Sequence, residues 1–288
     1  MTATTVALLG AGGALGSLVR AQLEARGSRV RAIPRASARD AAAIAAALDG
    51  VPAASAAIVD CAGASTALAF GRGWRGFGAV DTPIGLAAAA AARRTGARII
   101  YVATHFAAAQ RATPYVAAHE RVVDAIRDLP GCAIRATGFF SAFGGLVDLA
   151  RRGVRVDVGR GAARTNPIDD RDLAELVADR ALAAHAPGAP LVELAAGGPD
   201  VLTRREIFER IIAAAGAVAG AAAGRRVRLV RMPVWLALAG AALLSPLHPR
   251  IAQFGRFACG LGRHDVVAPV AGARHLADYL AGRAMLAA

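Results

Sequence analysis

The stretch TVALLGAGGALG, residues 5–16, constrains this chain more than any other. An apolar run of strand length meets three glycines at 10, 13 and 16, and an apolar helical pattern follows at once. Strand, glycine turn and helix in that order form the opening of a parallel α/β sheet. Glycines at this spacing let the turn close tightly and let a ligand approach the backbone. The helix behind them presents free N–H groups and a partial positive charge, which suits a pyrophosphate. The expected phosphate cradle is Gly10, Gly13, Ala14, Leu15 and Gly16.

The first half keeps this rhythm. Strands are expected at 5–11, 28–34, 56–63, 97–104 and 132–138, and helices at 14–26, 40–48, 82–95 and 114–128. Strands alternating with helices imply a doubly wound parallel sheet covered on both faces. Between the second strand and AAIVDCAG (56–63) there is room for one helix only. The third strand of a full dinucleotide fold is therefore expected to be vestigial near 36–38, or absent.

After residue 138 the pattern loosens. A short strand is expected at 155–161, a helix at 169–182 and a late strand at 191–198. TRRE (203–206) reads as a capping box, with Thr203 capping and Glu206 reaching back. A strand at 225–231, a short apolar helix at 234–244 and a last helix near 272–283 complete the chain. The expected division is a Rossmann core of 1–138 and 163–198 with a smaller substrate-side lobe of 139–162 and 199–288.

The chain has 288 residues and a formal charge of +13; all 34 of its Lys+Arg residues are arginines. The arginines are dispersed and aromatics are 5%. This is the mark of arginine-for-lysine composition and not of a nucleic-acid-binding module, and no nucleic-acid partner is expected. Three separated cysteines, Cys61, Cys132 and Cys259, suggest reduced thiols in a cytoplasmic protein. No metal-ligand spacing and no G-x-S-x-G elbow is present. The apolar run 234–244 is too short to span a bilayer. Core, dimer surface or a weak membrane-surface contact through 225–244 are its alternatives, in a monomer or homodimer.

The second strand ends in Ile33-Pro34-Arg35, with no carboxylate at its tip to bind a ribose 2′-OH. Arg35, with Arg31 beside it, offers a partner for a 2′-phosphate instead. The expected cofactor is NADP(H), ahead of NAD(H).

With these residues in view, the chain resembles the atypical short-chain dehydrogenase/reductases of the NmrA-like and NAD(P)H-binding type, over nearly its whole length. GAGGALG is similar to that family's nucleotide loop, AIPR to its A-L-V-R after the second strand, and DCAGAS to the loop lying along the cofactor. RATGFFSAF resembles R-P-T-G-F-F, and TNPIDDRDLAEL resembles N-P-I-x-x-x-D-L-A; Asn166 in it is the only asparagine of the chain. The shortened 35–56 segment is similar to the abbreviated third strand of dTDP-dehydrorhamnose reductases. The resemblance implies cofactor contacts from Cys61, Ala62 and Gly63. It also implies a catalytic pair: Thr104 orienting the substrate and Tyr115 transferring the proton.

The family's Tyr-x-x-x-Lys is Tyr115-x-x-x-His119 here, and no lysine exists elsewhere to replace the missing one. Tyrosine has an unperturbed pKa of about 10. Alcohol oxidation needs tyrosinate, held by a fixed positive charge; a histidine near pKa 6.5 supplies little of it. Carbonyl reduction starts from protonated tyrosine and tolerates the change. The expected function is an NADPH-dependent reductase of a small organic carbonyl or activated double bond, with catalytic Tyr115, Thr104 and His119. The alternative is a non-catalytic NAD(P)-binding regulator or assembly factor. Phe139, Phe140 and Phe143 either line the substrate cavity or pack in the core. His105 is either a solvated loop histidine or a cleft residue. Asp60 and Cys61 are either structural or neighbours of the cofactor.

Overall fold

The computed structural model describes residues 3–64, 74–151, 156–184, 189–218 and 230–285. The chain runs β1 (Thr5–Leu9), α1 (Ala14–Ala25), β2 (Arg29–Ile33), α2 (Ala41–Ala46), β3 (Ala56–Asp60), α3 (Phe77–Thr95), β4 (Arg98–Thr104), α4 (Pro114–Ile126) and β5 (Gly131–Ala136). It continues with α5 (Phe140–Arg151), β6 (Val156–Val158), β7 (Arg164–Thr165), α6 (Asp170–Leu182), β8 (Val192–Ala196), β9 (Leu202–Thr203), α7 (Arg204–Val218), β10 (Val230–Met232), α8 (Val234–Leu244), α9 (Pro249–Leu261) and α10 (Leu276–Met285).

Six strands form one parallel sheet in the order β2-β1-β3-β4-β5-β8. The chain steps from β1 outward to β2, then returns across β1 to β3. That reversal opens a crevice at the carboxyl ends of the strands, where open α/β sheets bind ligands. Both faces are covered. Ala7, Leu9, Ile58, Ile99 and Tyr101 pack beneath α2, α3 and α4; Val6, Leu8, Val59, Ile100 and Ile134 pack beneath α1 and α6. Strands buried on both sides read as continuous apolar runs, which is why they were legible.

No strand lies between β2 and β3: residues 35–39 form turns, and Asp40 caps α2 through Ala42 N (2.8 Å) and Ala43 N (3.3 Å). The core therefore lacks the third strand of a full dinucleotide fold. α3 begins at Phe77, five residues earlier than its apolar pattern indicates, despite Pro83 inside it. Proline removes the hydrogen bond to the carbonyl four residues back; here that carbonyl, of Ala79, accepts from Arg39 Nη2 at 2.9 Å. Helices α5 and α9 were not expected from the sequence.

A second core joins α5, α7 and α10 through Phe140, Val147, Ile207, Ile211, Leu276 and Leu280. Two small sheets, β6 with β10 and β7 with β9, tie this lobe together. The box at α7 forms as its sequence indicates: Thr203 N donates to Glu206 Oε2 (2.7 Å) and Glu206 N to Thr203 Oγ1 (3.2 Å). Of the expected 225–231 strand, 225–229 lie outside the described residues. Asn166 is fully buried and bridges three segments, donating to Gly198 O (3.0 Å) and Ala268 O (2.8 Å) and accepting from Ala268 N (2.9 Å).

Candidate functional site

The β1–α1 turn is tight for a physical reason. Gly10 has φ +79°, and a Cβ there would lie 2.7 Å from the backbone of Cys61 and Ala62. A Cβ on Gly16 would lie 2.0 Å from the Gly10 carbonyl oxygen. α1 therefore enters directly under the turn. No side chain caps it at Gly13, and its first turn carries no acidic residue. The uncapped amides of Ala14, Leu15 and Gly16 face the crevice rim, and the cradle fits a pyrophosphate.

The second wall follows β3. Cys61 N donates to Leu9 O at 3.1 Å, and Ala62 N to Asp60 Oδ1 at 2.9 Å. Ala64 N donates to Asp81 Oδ1 at 2.6 Å, so α3 holds the Cys61–Ala64 loop against the turn. The Cys61 thiol is pushed far up by burial and then by Asp60, which leaves it a protonated packing group. At the tip of β2, Arg35 is exposed and its guanidinium has no partner among the described residues. Arg31 instead donates to Ala47 O at 2.7 Å. The first carboxylate after β2, Asp40, is engaged by α2.

The third wall is the end of β4 and the start of α4. Close packing brings α4 in: a Cβ on Gly85 of α3 would meet the Val122 side chain at 2.4 Å. Glu120, buried, accepts from Arg135 of β5 at 2.6 Å and pairs with Arg111 at 3.2 Å. Pro114 takes the first position of α4, and the Thr113 hydroxyl donates to Gln110 O (2.7 Å) and makes no cap bond. Tyr115 and His119 share one face of the helix, with ring centroids 4.9 Å apart, edge to face. The Tyr115 side chain lies near that of Thr104, whose hydroxyl donates to His105 O at 3.2 Å. Its ring is partly exposed and packs on Phe77 (4.7 Å) and on Phe257 of α9 (4.6 Å).

The Nδ1 of His119 is already engaged within the protein. That atom hydrogen-bonds with the Tyr101 hydroxyl at 2.7 Å. Burial, then the charge of Arg135, pushes the imidazole down to about 4, so it is neutral near pH 7. The Tyr115 phenol is pushed well above its ordinary value by burial first and then by Asp81, with the nearby Thr104 hydroxyl opposing the rise. Among the described residues no cation contributes to the shift of this phenol, and the nearest charge effect is that of Asp81.

Tyr101 and Asp81, which the sequence reading left out, complete the cluster with Asp60. Tyr101 and Asp60 sit side by side in the β3–β4 register, and Asp81 faces them from α3. Burial raises each carboxyl to about 7; hydrogen bonds from Ala62 and Ala64 oppose the rise. Asp60 Oδ2 is buried without a hydrogen-bond partner. A signal existed for Asp81, the only acid in a nineteen-residue helix.

The three phenylalanines separate. Phe140 is fully buried in the core of the second lobe, 5.5 Å from the Tyr279 ring, and packs there without facing the crevice. Phe143 packs against the same core and Phe139 against the sheet. His105 Nε2 bonds to Val267 O at 3.2 Å. Among the described residues no three His, Cys, Asp or Glu side chains are placed to hold a metal ion.

No protein-family model matches the chain, and no curated protein matches it. Solved structures do. The human epimerase family protein SDR39U1, crystallised with NADPH, is 18% identical over 98% of this chain and 99% of its own, with a TM-score of 0.67. The NADPH-dependent quinone oxidoreductase QOR2 of Escherichia coli is 17% identical over 96% and 99%, at 0.62. dTDP-4-dehydrorhamnose reductase of Yersinia enterocolitica is 12% identical over 99% and 100%, also at 0.62. These are Rossmann-type reductases and epimerases, and the likeness establishes the shared fold.

Proposed function

We propose that the protein is an NADPH-dependent reductase of a small organic carbonyl or activated double bond. The observation that carries this reading is the placement of two hydroxyls together, Thr104 at the carboxyl end of β4 and Tyr115 in the first turn of α4. The NADPH reported for the neighbours SDR39U1 and QOR2 supports the choice of cofactor.

The bound cofactor supplies a hydride to the electrophilic carbon. The chain does the rest. Gly10, Gly13 and the amides of Ala14, Leu15 and Gly16 hold the pyrophosphate. Cys61, Ala62 and Gly63 lie along the cofactor, and Arg35 meets the 2′-phosphate. Thr104 orients the substrate oxygen. Tyr115, kept protonated by burial and by Asp81, donates its proton to that oxygen as negative charge develops there. His119 fixes the position of Tyr115 through ring contact and contributes no charge.

A second reading, a non-catalytic NADPH-binding regulator, is favoured by the three rings that wall Tyr115 and by the missing cation. One experiment separates the two. NADPH binding is measured by calorimetry, and NADPH consumption is followed against a panel of aldehydes, ketones, enones and quinones. The reductase reading expects binding and consumption with at least one class. Binding without consumption across the panel supports the regulator, and no binding overturns both.

A further inference from the structure

Helix α8 is out of place on a protein surface. Its sequence, VWLALAGAALL, has no polar face, and a helix apolar all round belongs in an interior. Yet Ala241 is its only buried residue. Trp235 is 69% exposed, Leu243 78%, and Leu247 just beyond the helix 78%. From Met232 to Pro249 there is no charged residue. The other tryptophan of the chain, Trp74, is also exposed and lies at the same place: its carbonyl accepts from Arg250 N at the start of α9 (3.3 Å).

The surroundings identify what covers this face. From Arg210 to His264 the sequence holds eight arginines and no aspartate or glutamate. Among them Arg231 and Arg256 are exposed. A twofold contact between two copies would set one such cationic segment against its own image, which is unfavourable. An anionic lipid surface accepts both features, the apolar face and the exposed arginines, Arg231 just before α8 and Arg256 on the packed helix α9. The geometry sets the depth. Eleven residues of helix extend about 16 Å, against a hydrocarbon core of about 30 Å. No described helix is long and apolar enough to cross a membrane. From α8, Trp235, Leu236, Leu243 and Leu247, we infer that this chain docks on anionic bilayer surfaces with α8 lying in the interface plane. The docked lobe is the one that reaches the candidate site, since α9 packs on α8 and carries Phe257 to Tyr115.

The test is flotation of the full chain with vesicles of phosphatidylglycerol and phosphatidylcholine in equal parts, beside vesicles of phosphatidylcholine alone. Tryptophan emission is read in parallel, and light scattering gives the oligomeric state. Wild type is expected to float with the anionic vesicles, with emission shifted to the blue, and to leave them as salt is raised. Leu243→Glu changes a residue exposed enough to leave the melting temperature unmoved, and is expected to weaken flotation about tenfold or more. Arg231→Glu is expected to weaken it less, and only on anionic vesicles. Absence of flotation overturns the inference, with or without a dimer that Leu243→Glu splits. Flotation that Leu243→Glu leaves unchanged overturns it too, because attraction through arginines elsewhere then suffices.

Discussion

At the position where the resembled family has lysine, His119 is half-buried, neutral and bonded to Tyr101. Tyr115 therefore has an acid, Asp81, for its electrostatic neighbour in place of a cation. His119→Lys should lower the tyrosine pKa through a nearby positive charge and improve alcohol oxidation more than carbonyl reduction. Paired initial rates in the two directions measure this, and an unchanged ratio would refute the account of the histidine. Asp60 gives a prediction on stability. Burial raises its carboxyl from an ordinary 3.8 to about 7 in the folded chain, so the folded state binds the proton more tightly than the unfolded state. The stability from that proton is fully present below pH 3.8 and is lost as pH rises to about 7; it amounts to on the order of 4 kcal/mol. Asp60→Asn keeps an oxygen for Ala62 N and has no proton to lose. Its stability relative to wild type should rise between pH 4 and 7 and level off above 7, by denaturant unfolding across that range. A constant difference would mean that Asp60 is ionised throughout. Of this cluster Tyr115, His119 and Thr104 were legible in the sequence, by spacing and by resemblance, and Asp60 as either a structural residue or a neighbour of the cofactor. Tyr101 and Asp81 join them through strand register and helix packing, which no local pattern encodes.

At the scale of elements, the β1–α1 unit was legible because each of its features is local: an apolar strand, glycines at fixed offsets and an apolar helix stripe. Gly16→Ala should abolish cofactor binding or destabilise the fold, since its Cβ would stand 2.0 Å from a backbone oxygen that cannot move away freely. Calorimetry together with thermal unfolding reports both effects, and a variant that binds and melts as wild type does would contradict the packing described. At the tip of β2, Arg35→Ala should cost NADPH its preference over NADH by about tenfold or more, as a charge-assisted contact is worth roughly 1.5–3 kcal/mol. Equal wild-type affinities for the two cofactors would remove the basis for that assignment. Helices α5 and α9 were not legible. Gly144 of α5 makes room for Tyr279 and Arg283, and Gly260 of α9 makes room for Gln110. A glycine that serves a close approach is recognisable only once its partner is in place.

Across the whole molecule, the parallel sheet brings the carboxyl ends of β1, β3 and β4 side by side. The second lobe then lays α9 over α4. The crevice so formed combines an uncapped helix terminus with a phenol that lacks any means of ionising near neutral pH. On the proposed reading, its chemistry runs in one direction: it gives a proton and does not take one. The most direct test is the rate of NADPH-dependent reduction by wild type and by Tyr115→Phe at neutral pH, on any substrate that the carbonyl panel yields. Loss of the donor should lower the rate by about 10²–10⁴-fold with NADPH affinity unchanged. A Tyr115→Phe protein that reduces at the wild-type rate would contradict the account.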